Sequence, residues 1–142
     1  MKKLILILTA VLSFFFSHAQ ENESTVYQVY QSEFYIYNKE TEKWDLEARN
    51  KDVNISMVFY KDAINIQALT PTLFKVKTNT KKSISGNGFV GYSFEALECV
   101  EERTCRVEYV YLLENKDKFI LSIIHNDKTL GKVNLRYYST LN

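Results

Sequence analysis

From residue 53 onward, apolar and polar side chains alternate with a period of two. Val53, Ile55, Met57 and Phe59 fall on one side of an extended chain; Asn54, Ser56, Val58 and Tyr60 fall on the other. That periodicity, rich in β-branched and aromatic residues, predicts a strand over 53–60. Lys61-Asp62 supplies a tight reversal, after which Ile64, Ile66 and Ala68 repeat the alternation against Asn65 and Gln67. Upstream, 25–37 reads as one strand or two, 38–43 as a polar turn, 44–48 as a short strand, and Asn50-Lys51-Asp52 as a further turn. Downstream, Pro71 breaks the chain because it cannot donate to a ladder. Residues 73–78 form the next strand, and 79–88 give the longest loop signal, ending in an Asn87-Gly88 pair suited to positive φ.

Residues 89–99 follow as a strand with Gly91 inside it, read as a bulge or bend. A helix over 93–101 fits its apolar spacing about as well as a strand does. Strands are then expected over 105–113, 119–124 and 133–138, with turns at 115–118 and 126–132. Phe119, Leu121 and Ile123 alternate with Ile120, Ser122 and Ile124, the pattern of a strand buried on both faces. The expected fold is therefore all-β: a single-domain antiparallel meander of eight or nine strands over 26–142. Links this short join antiparallel neighbours. Closure into a small barrel or strongly curled sheet is preferred, since closure removes exposed edges. A β-sandwich is the alternative, with 70–72 and 79–88 as its crossovers.

The first 19 residues break the pattern. Lys2 and Lys3 precede an apolar run over 4–16, and Ser17-His18-Ala19 places small residues at −3 and −1 of a cut before Gln20. This resembles a bacterial secretory leader. The usage of Lys, Asn, Ile and Tyr fits a low-GC bacterial genome. The run is shorter than the roughly 20 residues a bilayer span needs. The expected product is secreted or periplasmic and soluble, without stable membrane insertion, and begins with a loose polar tail over 20–25. Removing 19 of 142 residues leaves 123, and 16 basic residues against 17 acidic. Near-neutral charge excludes a protein that holds nucleic acid by phosphate neutralisation. High aromatic content, 14%, excludes disorder.

Candidate chemistry is sparse. His125 is the one histidine outside the leader and reads as a strand-end residue in a solvated turn rather than a general base. No Gly-x-Ser-x-Gly elbow or glycine-rich phosphate loop is present. Glu95, Glu98, Glu101 and Glu102, with Glu108 on the next strand, read as a charged, solvated hairpin tip offset by Arg103 and Arg106, with a glycosidase carboxylate pair or a weak calcium site as the functional alternatives. No metal site or cofactor is expected. Cys99 and Cys105, in an oxidising compartment, are expected to close a seven-residue hairpin loop as a disulfide, which stabilises by about 2.4 kcal/mol in the chain-entropy model. Lys75, Lys77, Lys81 and Lys82 read as protective charge on an edge strand.

The tyrosines are the unusual feature. Tyr35 and Tyr37 share one face, as do Tyr109 and Tyr111. Cross-strand packing accounts for such rows, and so does a pocket or a partner-binding surface. The functional expectation is a non-catalytic binding protein that holds an apolar or amphipathic small molecule. Its lining would be Ile55, Met57, Phe59, Ile64, Ile66, Tyr109, Tyr111, Leu121 and Ile123. The alternative is an interaction module that meets another envelope protein through a sheet edge or a Tyr-rich face.

Overall fold

The computed structural model describes residues 24–141. The leader and residues 20–23 of the expected tail lie outside the described residues. Eight strands follow one another: β1 (Thr25–Asn38), β2 (Lys43–Phe59), β3 (Ala63–Gln67), β4 (Thr72–Gly86), β5 (Phe89–Glu98), β6 (Arg103–Leu112), β7 (Lys118–Asp127) and β8 (Gly131–Leu141). Each pairs antiparallel with the next, and β8 returns to pair with β1 from Tyr27↔Leu141 to Ile36↔Val133. The meander is thus a closed barrel, and the sandwich alternative falls because no second sheet exists among the described residues. No described helix is long and apolar enough to cross a membrane.

The strands depart from the sequence pattern at several points. Residues 44–48 and 53–59 belong to one strand, β2. Asp52 takes a left-handed φ of 55°, so the Asn-Lys-Asp signal bends the strand instead of reversing it. The expected loop over 79–88 is mostly strand: β4 runs to Gly86 after a register shift between Lys77 and Lys82, and only Asn87-Gly88 turns, with Gly88 at φ 85°. Gly91 is no bulge. Its ladder runs unshifted between Ile84 and Val110. A β-carbon there would collide with the Tyr109 carbonyl oxygen and come within 2.8 Å of Val110 Cα. The helix option over 93–101 also falls, since β5 is strand through Glu98.

Period two carries the core inward. Phe119, Leu121 and Ile123 of β7, Val107 of β6, Phe94 and Ala96 of β5, Ile64 and Ile66 of β3, Met57 of β2 and Val29 of β1 are all buried. The interior is not uniform along its axis. At the end that carries loops 60–62, 87–88 and 113–117, aromatic rings fill it. Tyr27 stacks on Phe119 with centroids 4.5 Å apart, Phe59 meets both rings edge-on at 5.3 Å, and Tyr109 and Tyr111 close the cluster against Phe119 at 5.5 and 5.2 Å. Such pairs add about 0.5–1.5 kcal/mol each beyond area burial. The opposite end carries loops 39–42, 68–71, 99–102 and 128–130, and there the packing is incomplete.

Closure is also uneven around the circumference. β3 pairs with β2 only from Ser56 to Phe59 and with β4 only from Thr72 to Lys75. Residues 43–55 of β2 therefore have a strand partner on one side only. So does β4 beyond Val76, where Lys77, Lys81 and Lys82 sit. Lysines there blunt an uncovered edge, whereas Lys75, expected among them, has strand partners on both sides, Ala63 and Leu97.

Candidate functional site

The open end is built where β5, β6 and β7 bring polar side chains to inward positions. Glu98 is the last residue of β5 and pairs in register with Arg103, the first of β6. Phe94 and Ala96 precede Glu98 at the same parity, so its carboxylate points inward and is only 3% exposed. Glu98 Oε1 accepts the turn amides of Val100 at 3.3 Å and Glu101 at 3.4 Å. Arg103 Nε lies 3.0 Å from Glu98 Oε2, and Nη1 lies 3.3 Å from Glu101 Oε2. The Nε contact is off the line a hydrogen bond needs, so Glu98 Oε2 and Arg103 Nε remain without one.

β7 continues its inward series through Phe119, Leu121 and Ile123 to His125, which is 8% exposed. The expectation of a solvated turn is overturned: β7 extends to Asp127, and His125 pairs with Val133 inside the barrel wall. Its Nδ1 has no hydrogen-bond partner. Burial holds the imidazole below its ordinary pKa, and Arg103 adds to this; Asp127, Glu98 and Glu101 pull the other way without reversing it. The ring is neutral at neutral pH and offers one nitrogen as acceptor. Burial likewise pushes the Cys105 thiol and the Tyr137 hydroxyl up, so neither is ionised near neutrality. The hairpin tip is therefore only partly solvated: Glu95, Glu101 and Glu102 are exposed, while Glu98 is buried.

Between these groups lies a cavity of about 160 Å³. Its polar wall is Glu98, Glu101, Arg103 and His125; its apolar floor is Ile66, Phe74, Cys105, Ile123, Leu135 and Tyr137; Thr70, Thr72 and Val100 stand at the mouth. The floor lies deeper because Ile123 and Cys105 are each two positions further into their strands than His125 and Arg103.

Cys99 and Cys105 are free thiols, which corrects the expected disulfide. Cys105 pairs in register with Ala96 and is buried on the inner face. Cys99 follows Glu98 in the turn just past β5, beyond the ladder that joins β5 to β6. Each sulfur lies near its own segment's backbone instead: Cys99 Sγ is 3.7 Å from Leu97 O and Cys105 Sγ is 3.9 Å from Arg103 O. A disulfide needs side chains that converge, and these two sulfurs lie against separate backbone carbonyls.

The residues expected to line a ligand site divide into four groups. Ile66 and Ile123 line the cavity. Met57, Ile64 and Leu121 are packed in the middle of the core. Phe59, Tyr109 and Tyr111 belong to the aromatic plug at the far end. Ile55 borders a wide surface groove of about 770 Å³ shared with Val53, Ala68 and Leu69. Glu98, Arg103 and His125 were not among the expected lining. The available signal was the parity of β7, because His125 continues the Phe-x-Leu-x-Ile series.

A second buried carboxylate, on the outer face, makes the contrast. Glu33 is 3% exposed. It accepts from the Tyr35 hydroxyl, from Tyr138 at 2.7 Å, Arg49 Nε at 2.6 Å and Gln31 Nε2 at 2.9 Å. Burial alone would raise its pKa, but the bonds from Tyr35, Tyr138 and Arg49 hold it below the usual value. Tyr138 is pushed up to about 12 by burial and by that bond. Four donors saturate Glu33, so it is a structural centre. The outer tyrosines are engaged as well: the Arg136 guanidinium stands 4.6 Å over Tyr35, and Lys132 Nζ stands 5.2 Å over Tyr37 and 5.6 Å over Trp44.

Among the described residues, no group of three His, Cys, Asp or Glu side chains is placed to hold a metal ion. The chain matches no protein-family model, no curated protein and no solved structure, and the geometry of the open end carries the functional reading.

Proposed function

We propose that this protein is an exported, non-catalytic binding protein that holds a small amphipathic molecule in the open end of its barrel. One observation carries the reading. A cavity with an apolar floor is walled by a buried imidazole whose Nδ1 has no hydrogen-bond partner and by a buried ion pair, Glu98 with Arg103, whose 3.0 Å contact is not aligned as a hydrogen bond. Such groups cost free energy unless something pairs them. A molecule with one apolar and one polar end satisfies the wall and covers the floor together. The leader-like first 19 residues support export to the periplasm or beyond the cell. The outer face carries Lys75, Lys77, Glu95, Arg106 and Arg136 on its strands, unlike the apolar band of a membrane-spanning barrel.

The test is a titration followed by NMR at the Glu98, Arg103 and His125 resonances, using five-carbon amphiphiles of differing headgroup. At least one is expected to shift these signals saturably. The cavity-filling variant Ile123→Phe, with an unchanged fold, is expected to abolish the shift. Absence of binding by every member of the series overturns the reading.

The alternative, an interaction module, is favoured by the one-sided pairing of residues 43–55 of β2. That stretch leaves backbone groups free for an added strand. Its charged sequence, with Lys43, Asp45, Glu47, Arg49, Lys51 and Asp52, works against such pairing.

A further inference from the structure

The binding reading leaves the ligand's headgroup open, and the charge balance of the cavity wall bears on it. Two carboxylates, Glu98 and Glu101, face one guanidinium, Arg103, and no lysine lines the cavity. Arg103 is held from two sides, with Nε at Glu98 and Nη1 at Glu101. An incoming carboxylate would therefore meet a cation already engaged and two anions. A neutral headgroup would leave the surplus negative charge uncompensated. His125, on the neighbouring strand β7, is a neutral acceptor, more than nine-tenths buried and with its Nδ1 unpartnered.

We infer that the open end of the barrel is a receptor for an alkylammonium group, with the –NH₃⁺ seated among Glu98, Glu101 and His125 and the alkyl chain laid on Ile66, Phe74 and Ile123. The inference rests on the binding reading above and specifies its ligand class. An ammonium has three donors and no acceptor. The wall offers it the Glu98 and Glu101 carboxylates, which share the single cation Arg103, and an imidazole nitrogen. Charge-assisted bonds of this kind are about twice as strong as neutral ones. Size agrees. The cavity, about 160 Å³, compares with one of roughly 150 Å³ that holds benzene, so it takes about six non-hydrogen atoms. A pentylammonium ion or the distal part of a lysine side chain is of that size. The floor is apolar and lies deeper than the wall, which orients the chain inward and the nitrogen toward the mouth.

The test compares n-pentylammonium, 1-pentanol and pentanoate at equal ionic strength, read by NMR at Glu98, Arg103 and His125. Pentylammonium is expected to bind at least about tenfold more tightly than pentanol, the worth of a hydrogen bond to a charged group, and pentanoate more weakly still. Glu98→Gln is expected to remove that preference while leaving pentanol binding in place; Glu102→Gln, in the same turn but outside the cavity wall, is expected to change nothing. If Glu98→Gln does not fold, Glu101→Gln gives a second reading, with a smaller loss for pentylammonium alone.

If pentanol or pentanoate binds as well as pentylammonium, or if the folded Glu98→Gln and Glu101→Gln variants keep the preference, the ammonium class is overturned while the pocket stands. If none of the three binds, the binding reading itself fails. A free alkylamine and a partner's lysine present the same group. A Leu69→Ser, Leu130→Ser double variant, altering exposed apolar residues of two loops at this end that do not line the cavity, separates them: weaker binding of a lysine peptide with pentylammonium unchanged identifies a partner's side chain, and no change in either identifies a free amine.

Discussion

Two buried glutamates, Glu33 and Glu98, show how the same residue type serves opposite ends. Glu33 receives four donors and is closed to further partners. Glu98 lines a cavity with His125 and sets its Oε2 against Arg103 Nε at 3.0 Å without the alignment of a hydrogen bond. The environment of His125, with Arg103, Glu98, Glu101 and Asp127 around it and Cys105 on the same floor, predicts a pH signature. Its folded-state pKa lies below the ordinary value of 6.5, so the unfolded chain takes up the proton first. The stability that the neutral imidazole contributes is complete above about 6.5 and declines as pH falls from there toward the depressed folded value. Urea denaturation between pH 8 and pH 5 should show the decline beginning in that window. His125→Gln should remove that component, leaving the later acid limb that Glu33 contributes below the usual carboxylate range. A wild-type curve flat from pH 8 to 5 would contradict this account of the site.

At the scale of strands, alternation was legible wherever one face was strongly buried, as in β7 and the second half of β2. It was illegible where a strand stands clear of its neighbours. β4 beyond Val76 carries Asn79-Thr80-Lys81-Lys82-Ser83, exposed except at Thr80, and a strand without a buried face reads as a loop in composition. The kink at Asp52 misled for a related reason, because a left-handed residue serves a bend as well as a turn. Gly91 was legible as special but not as what it is. Its constraint is the approach of β6, with the Tyr109 carbonyl where a side chain would stand. Gly91→Ala is accordingly expected to destabilise by about 1–3 kcal/mol through overpacking, measured as a lowered denaturation midpoint. Gly88→Asn, at an open left-handed turn position, should cost far less. Equal effects would mean that β6 has room to move away from Gly91.

For the whole molecule, closure divides eight of the nine expected lining positions between a filled middle and two unlike ends and leaves Ile55 at a surface groove. The inner-face assignments of Met57, Ile64, Leu121 and Ile123 were readable from period two. The division of the interior was not, because it depends on which strand ends meet: Tyr27, Phe59, Tyr111 and Phe119 converge at one end, and Glu98, Arg103 and His125 at the other. Met57, fully buried at the centre, tests the closed core. Met57→Lys should abolish cooperative folding, since an unpaired ammonium would be stranded among aliphatic and aromatic groups. A sharp thermal transition in that variant would show that the interior admits water.

The pairing of β1 with β8 places Tyr27 opposite Leu141, so both ends of the described chain lie at the end of the barrel sealed by aromatic rings. Whatever is attached to either terminus, whether a tether, a fusion partner or a solid support, grips the molecule by its base. The mouth then faces outward, like a cup held on a stem. Immobilisation through either terminus should therefore leave the proposed ligand site unobstructed, and two such cups joined through a short linker between their termini would open in opposite directions.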